Sequence, residues 1–347
     1  MRSAVYYRNN DVRIEERPVP EIGHGEMLLK VMAVGICGSD VHEFYRIHQA
    51  PLILGHELAG FVEKVGDGVT DFKPGDRIFV FHHVPCGACP RCVKGHETAC
   101  DTFKKVHFFP GGFSEFVRVH PLQVRLGAIH MPDDMPFDEA SFTEPVGCVV
   151  RGQRLAGMAP GGKVLILGSG IAGIIHIQVA KAWGASLIVS TDVSDYRKDR
   201  ARKFGAHEVL DGRDDVATRF RELNDGWGAD IVILSAMAPV AVQQAIDAVD
   251  KGGNILVFGL GGPDQTMNIP LGRFLAGEIS VIHSYSGAPA DARMAFSLIR
   301  NHQIDVKSMI THRLPLDQAQ EGFRLTAEAD RSLKVMLYPH GVPDASS

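Results

Sequence analysis

The stretch Lys163-Val-Leu-Ile-Leu-Gly168-Ser-Gly170-Ile-Ala-Gly173 decides the fold of the second half of this chain. An apolar run typical of a buried strand leads into a G-x-G-x-x-G turn, and a helical pattern follows it as far as Trp183. In this context the first glycine makes a tight turn and the second lets a pyrophosphate approach the backbone, while the third allows close packing of helix on strand. The stretch therefore predicts a dinucleotide-binding βαβ unit.

An acidic residue follows where such a unit needs one. Asp192 ends the next apparent strand, where its carboxylate can accept hydrogen bonds from the ribose hydroxyls of adenosine. Because its charge would repel a 2′-phosphate, Asp192 favours NAD over NADP. Arg197 is either a phosphate partner or a solvated helix residue. The candidate cofactor-binding residues are Gly168, Gly170, Ile171, Ala172, Gly173, Asp192 and Arg197.

Around this unit the chain shows two patterns. From residue 151 to about 286, apolar strands alternate with helical segments, which predicts a parallel, doubly wound α/β sheet. Residues 1–150 instead carry short β-branched runs separated by turns such as Val65-Gly-Asp-Gly, typical of an antiparallel, barrel-like domain. The last segment, 287–347, is too short for a third domain, so we expect it to complete the first.

Four cysteines form the most specific motif of the N-terminal part, in the stretch Cys86-Gly-Ala-Cys89-Pro-Arg-Cys92 and at Cys100. Four thiolates so close in sequence can converge on one tetrahedral ion, and an all-cysteine shell is typical of a closed, structural zinc site. A zinc-ribbon module that binds nucleic acid is the alternative, but a formal net charge of -5 offers no basic surface for one.

A second set of metal-ligating residues lies upstream. Gly35-Ile-Cys37-Gly-Ser39-Asp40-Val-His42 and Gly55-His56-Glu57 supply a thiol, an imidazole and a carboxylate, and Thr143-Glu144-Pro145 adds a further carboxylate. A catalytic zinc keeps three protein ligands and leaves one position open. Each of these residues alone has an ordinary structural interpretation, but beside a dinucleotide unit and a four-cysteine loop they favour a catalytic metal.

The composition restricts the compartment and the partners. The N-terminus reaches Asn9, Asn10 and Asp11 before a signal-peptide core can form, and no apolar run is long enough to span a membrane. Six cysteines without a secretory signal favour a reducing compartment, where clustered thiols bind metal. We therefore expect a cytoplasmic protein that has neither a nucleic acid nor a membrane as its partner.

Taken together, these motifs resemble those of the zinc-dependent medium-chain dehydrogenases and reductases, in the branch of sorbitol (polyol) dehydrogenases and threonine 3-dehydrogenase. The resemblance covers nearly the whole chain. It implies an α/β protein with a GroES-like, β-rich catalytic domain (1–150 and 287–347), a Rossmann domain (151–286) and a substrate cleft between them. It also implies NAD and two zinc ions per chain, and a homotetramer or homodimer formed with help from the last Rossmann strand, about residues 280–286.

The same resemblance gives roles to single residues. It implies that Asp40 orients His56 and that Ser39 and His42 relay the substrate proton through the nicotinamide ribose, while hydride passes to the nicotinamide. The ligands it implies are Cys37, His56, Glu57 and Glu144 for the catalytic zinc and Cys86, Cys89, Cys92 and Cys100 for the structural zinc. The resemblance leaves open whether Glu57 and Glu144 bind the catalytic zinc directly, since the first binds only transiently in some members and the second can act through water. Five of the six cysteines then have metal roles, and we expect the sixth, Cys148, to be a buried thiol.

The substrate is the least determined feature. His83 stands three residues before Cys86, where threonine dehydrogenases carry a histidine, and His82 and His107 are further candidate contacts. Polar side chains there suit a polyol, sugar or cyclitol oxidised at a secondary hydroxyl. Threonine and a simple secondary alcohol are the alternatives. A non-catalytic protein on the same scaffold is a third hypothesis, which the full set of ligand residues disfavours.

Overall fold

The computed structural model describes residues 1–343, which divide into two compact units. The first contains Met1–Gly147, Gly287–Asn301 and the chain from Val306 onwards, and the second contains Cys148–Ser286 and His302–Asp305. Within the described part of the chain, none of the helices has the length and apolar character needed to cross a membrane.

The regular elements are numbered along the chain. The strands are β1 (Arg2–Arg8), β2 (Asp11–Glu16), β3 (Met27–Gly35), β4 (Leu52–Ile53), β5 (Glu57–Val65), β6 (Arg77–Val80), β7 (Phe116–Val119), β8 (Ala128–His130), β9 (Lys163–Leu167), β10 (Leu187–Asp192), β11 (Glu208–Asp211), β12 (Ala229–Leu234), β13 (Val249–Val257), β14 (Ser280–His283), β15 (Ile310–Pro315) and β16 (Lys334–Tyr338). The helices are α1 (Glu43–Arg46), α2 (Pro90–Val93), α3 (Pro121–Gly127), α4 (Phe137–Ser141), α5 (Thr143–Leu155), α6 (Ile171–Ala182), α7 (Asp195–Lys203), α8 (Val216–Leu223), α9 (Pro239–Ala248), α10 (Leu271–Gly277), α11 (Pro289–Arg300) and α12 (Ala319–Glu328).

The second unit is a doubly wound parallel sheet, as the alternating pattern predicts. Its six strands have the order β11-β10-β9-β12-β13-β14, and every neighbouring pair is parallel. The strand order reverses between β9 and β12, so the glycine turn that follows β9 lies at the switch point where such sheets bind ligands. The buried aliphatic side chains of β9 and β12 form the centre of this unit.

The first unit is organised around β3 and β5, which pair antiparallel in a seven-stranded sheet of order β15-β16-β3-β5-β6-β8 with β7 also on β3. Two pairings of this sheet matter for the site. Gly35 lies opposite Glu57 on β5 and opposite Met336 on β16. The C-terminal strand β16 therefore lies beside the N-terminal strand β3, at the end where the ligand residues stand.

The prediction that Cys148 is buried is wrong, because its side chain is partly exposed. The residues one helical turn away from Cys148 on α5, Glu144 and Gly152, are buried. The helical pattern alone therefore does not explain the exposure of Cys148.

Candidate active site

Cys37, His56 and Glu57 come together where β3 ends and β5 begins. The antiparallel register places Gly35 opposite Glu57, so the loop carrying Cys37 leaves β3 next to the two residues that open β5. One ligand atom from each of these three side chains lies within 4.8 Å of the others. A thiolate, an imidazole and a carboxylate at this spacing can hold one zinc ion, and their two negative charges would balance it.

Asp40 supports two of these three residues. It is fully buried, its Oδ1 lies 3.5 Å from His56 Nδ1, and its Oδ2 accepts a hydrogen bond of 3.0 Å from the backbone N–H of Cys37. Burial lowers the pKa of His56, but the Asp40 carboxylate outweighs burial and raises that pKa well above its ordinary value. Arg46 forms an ion pair with Asp40 Oδ1 at 3.6 Å, and the sequence motifs did not reveal this partner of Asp40. The carboxylate thus orients the ring while leaving its other nitrogen for a metal.

Lys334 is the second residue that the motifs did not reveal. Its ammonium group forms a buried ion pair with Glu57 Oε2 and donates a hydrogen bond of 3.2 Å to the carbonyl of Ile36. A Cβ at Gly35 would overlap both Glu57 Oε2 and Lys334 Cε, so only glycine leaves room for the pair. The available signal is a lysine at the start of an otherwise apolar strand, Lys334-Val-Met-Leu-Tyr.

Glu144 lies on α5 and faces a histidine. Its Oε1 is 3.5 Å from His82 Nδ1, and the His82 ring centroid lies 4.8 Å from that of His56. Within residues 1–343, the compact group around Cys37 does not include Glu144. The structure therefore places this carboxylate at the edge of the group, with a buried histidine against it.

The three candidate substrate histidines form a chain of ring contacts. The ring centroids of His82 and His83 are 4.0 Å apart, and those of His83 and His107 are 4.8 Å apart. Burial is the main cause that lowers the pKa of His82 well below its usual value and that of His83 to about 3, so both rings are neutral at pH 7. His107 is exposed.

The two residues of the expected proton relay lie on neighbouring short turns. Arg46 donates hydrogen bonds to the carbonyl of Ser39 at 3.0 Å and to its Oγ at 3.3 Å. Burial, followed by the charge of Arg46, lowers the pKa of His42. Ser39 Oγ therefore keeps its own proton available for donation, and His42 is neutral and able to accept one.

The four cysteines of the loop also converge. All four are free thiols with their sulfur atoms within 4.8 Å of one another. Burial raises the pKa of Cys92 to about 12, whereas backbone N–H groups, that of Cys86 foremost, outweigh burial at Cys100 and lower its pKa to about 6. N–H groups directed at sulfur stabilise thiolates, which are the form that binds zinc.

The glycine turn has the geometry that its sequence predicts. Gly168 has φ +101°, which favours glycine, and a Cβ at Gly173 would overlap the carbonyl oxygen of Gly168. A Cβ at Gly170 would meet no atom within 4 Å, so this position borders open space. Ile171 and Ala172 form the first turn of α6, whose free N–H groups can bind an anion.

Asp192 is held in place at the end of β10. Its Oδ2 accepts a hydrogen bond of 2.9 Å from the N–H of Ser169, and its Oδ1 accepts one of 3.0 Å from the N–H of Ser194. Arg197 Nη1 lies 3.8 Å from Oδ2. The acidic group and the arginine thus stand side by side, and together they can discriminate between a ribose hydroxyl and a phosphate.

The donor atoms fit the metals and the dinucleotide that these motifs imply. Glu57 Oε1 is buried without a hydrogen-bond partner. Burying a carboxylate oxygen in this way costs folding free energy unless a cation binds it. The four clustered sulfurs match a tetrahedral all-cysteine shell. The open face at Gly170, next to a helix N-terminus, suits a pyrophosphate.

Comparison with known proteins points the same way. A family model described as the alcohol dehydrogenase GroES-like domain matches residues 23–133, and one described as zinc-binding dehydrogenase matches residues 170–301. The chain is 32% identical to the sorbitol dehydrogenase of Bacillus subtilis over 98% of both chains. It is 31% identical to the L-threonine 3-dehydrogenase of Bacillus licheniformis, over 93% of this chain and 94% of the relative. A zinc-binding dehydrogenase of Sinorhizobium meliloti, solved with NADP, is 28% identical and superposes with a TM-score of 0.86, covering 97% of this chain and 99% of that one.

Proposed function

Because the chain belongs to the zinc-dependent medium-chain dehydrogenases and reductases, we propose that it oxidises a secondary hydroxyl of a polyol, sugar or cyclitol with NAD. The observation that carries this proposal is the group of Cys37, His56 and Glu57 within 4.8 Å, in a chain so similar to a sorbitol dehydrogenase. The chain is an oxidoreductase acting on CH–OH groups. This disfavours the hypothesis of a non-catalytic protein on the same scaffold.

Asp40 and Lys334 hold the side chains of two metal ligands, His56 and Glu57, in place. When bound, zinc acts as a Lewis acid on the alcohol oxygen and the nicotinamide accepts the hydride. The Asp40 carboxylate, with Oδ1 3.5 Å from His56 Nδ1, faces that nitrogen and leaves Nε2 available to the metal. Lys334 holds one carboxylate oxygen of Glu57, and the other remains directed into the buried site.

Proton removal is the task of Ser39 and His42 in this proposal. Ser39 Oγ accepts a hydrogen bond from Arg46, so its hydroxyl hydrogen is free to be donated as it receives the substrate proton. His42 has a lowered pKa and is neutral at pH 7, so it can take up that proton and pass it to solvent.

A substrate panel tests the proposal. We expect NADH formation with sorbitol, xylitol or myo-inositol at a kcat/KM at least ~10-fold above that for L-threonine and 2-propanol, since unpaired polar groups penalise a substrate that lacks their partners. Oxidation of 2-propanol at the polyol rate would instead indicate a simple secondary-alcohol dehydrogenase. A preference for L-threonine would instead indicate an L-threonine 3-dehydrogenase. The similarity to a threonine dehydrogenase and the position of His83 support that alternative.

We also propose that the protein works in the cytoplasm as a homotetramer or homodimer, with a small polyhydroxy alcohol as its substrate. The free thiols support the compartment. Strand β14 is the last strand of the six-stranded sheet and has one neighbour, β13, within the described chain, which leaves an edge that a second copy can pair with. Light scattering of the purified protein measures the oligomeric state.

A further inference from the structure

His82 presents a buried nitrogen to Glu144. His82 is the second residue after β6, and its side chain is only 11% exposed. Nδ1 is buried without a hydrogen-bond partner, and it lies 3.5 Å from Glu144 Oε1. A buried ring nitrogen without a partner is uncommon in a folded protein and calls for an explanation.

The surroundings hold the His82 ring in this orientation. It packs against the ring of His56 at 4.8 Å, that of His83 at 4.0 Å and that of Phe81 at 5.6 Å. Its backbone carbonyl accepts a hydrogen bond of 2.6 Å from the Nε2 of the fully buried Gln123. Since ring and backbone are both fixed, the position of Nδ1 is determined by the fold.

We propose that His82 is a positioning residue for Glu144, donating its Nδ1–H so that the carboxylate is aimed at the metal held by Cys37 and His56. This inference rests on the proposed function and on the role of zinc ligand that the family resemblance implies for Glu144. A movement of a few tenths of an ångström turns the 3.5 Å approach into a hydrogen bond. Partners of this kind orient metal ligands, and their loss typically lowers metal affinity by ~10–100-fold.

Two variants of His82 separate the donor from the ring. His82→Phe keeps an aromatic ring but removes the donor, whereas His82→Asn places an amide N–H near the position of Nδ1. We measure the affinity of each chain for the more weakly bound equivalent of Zn²⁺ by competition with a chromophoric chelator. The absorption spectrum of the Co²⁺-substituted protein reports the geometry of the same site, and Cys37→Ala identifies which equivalent belongs there.

The expected result is a loss of ~10-fold or more in Zn²⁺ affinity and an altered Co²⁺ spectrum for His82→Phe, with both largely restored in His82→Asn. The double variant His82→Phe/Glu144→Gln should bind Zn²⁺ no more weakly than Glu144→Gln alone, because both changes remove one arrangement. His130→Phe, which replaces an exposed histidine that packs on Phe72, is the matched control and should leave affinity and spectrum unchanged.

Two outcomes would overturn the inference if Glu144→Gln weakens Zn²⁺ binding. One is wild-type affinity and spectrum in His82→Phe, and the other is an equal loss of affinity in His82→Phe and His82→Asn. Both would leave the proposed function intact. If Glu144→Gln binds Zn²⁺ as tightly as the wild type, Glu144 does not serve the metal and the inference fails with that assignment. Failure of the polyol reaction itself appears separately, in the substrate panel.

Discussion

Lys334 and Glu57 form an ion pair in which each side chain is only 1% exposed, although nearly the whole chain separates them in sequence. The pair exists because β16 lies beside β3, and β3 lies beside β5. Burial disfavours the charged form of Lys334, but Glu57 outweighs burial and raises the pKa of the lysine. The ammonium group therefore remains charged beside the metal ligands and limits the freedom of the Glu57 carboxylate.

Removing one partner of this pair should destabilise the protein strongly. In the zinc-free protein, Lys334→Met leaves the Glu57 charge buried and uncompensated, which we expect to cost about 3–5 kcal/mol of unfolding free energy, measured by urea denaturation followed by circular dichroism. Lys334→Met/Glu57→Gln removes both charges and should recover most of the loss. The exposed Lys251→Met is the control and should change stability by less than ~0.5 kcal/mol. Additive losses in the double variant would show that the pair is not coupled.

Asp192 should set the preference between NAD and NADP. Asp192→Gly removes a carboxylate that can bind the ribose hydroxyls and that repels a 2′-phosphate, so the ratio of kcat/KM for NAD over NADP should fall by ~10-fold or more. Arg197, whose Nη1 lies 3.8 Å from Asp192 Oδ2, would be placed to meet the phosphate, and Asp192→Gly/Arg197→Ala should lose the gain with NADP. An unchanged ratio in Asp192→Gly would remove Asp192 from this role.

The four-cysteine loop should bind one zinc ion of its own. Cys92→Ser removes one of four clustered sulfurs, and we expect the zinc content by atomic emission to fall from about two ions per chain to about one. Cys148→Ser is a matched control, since this thiol is not part of the group of loop cysteines. Zinc content that is equal in both variants would contradict the assignment of the loop.

His176 should make the stability depend on pH. Burial lowers its pKa to about 3, while an unfolded histidine titrates near 6.5, so the unfolded chain binds one more proton between these values. The unfolding free energy should therefore fall by about 1.4 kcal/mol per pH unit below pH 6.5. His176→Gln should remove that contribution, visible as a smaller loss between pH 6.5 and 5. The exposed His24→Gln is the control. If the unfolding free energy changed with pH equally in His176→Gln and His24→Gln, the role of His176 would be contradicted.

Features that depend on neighbouring residues were predictable from the sequence. The glycine turn is fixed by backbone geometry at Gly168 and Gly173, and the loop cysteines are too close in sequence to lie far apart. The α/β class and the β-rich N-terminal part are confirmed, because alternating strand and helix patterns determine the sheet type.

Features that depend on tertiary packing were not predictable. The contact between Lys334 and Glu57 requires the register of β16 against β3, which no local pattern encodes. The approach of His82 to Glu144 likewise requires α5 to pack beside the end of β6. The partial exposure of Cys148 depends on its tertiary surroundings, which a count of ligands among the cysteines could not reveal.

The most direct test of the central claim is a joint measurement of zinc content and polyol-dependent NADH formation in the wild type and in Cys37→Ala. We predict about two zinc ions per chain and turnover of a polyol in the wild type, whereas Cys37→Ala should lose one ion and all turnover while still binding NAD. One zinc ion and no turnover of any alcohol in the wild type, or substantial activity in Cys37→Ala, would contradict a catalytic zinc held by Cys37, His56 and Glu57.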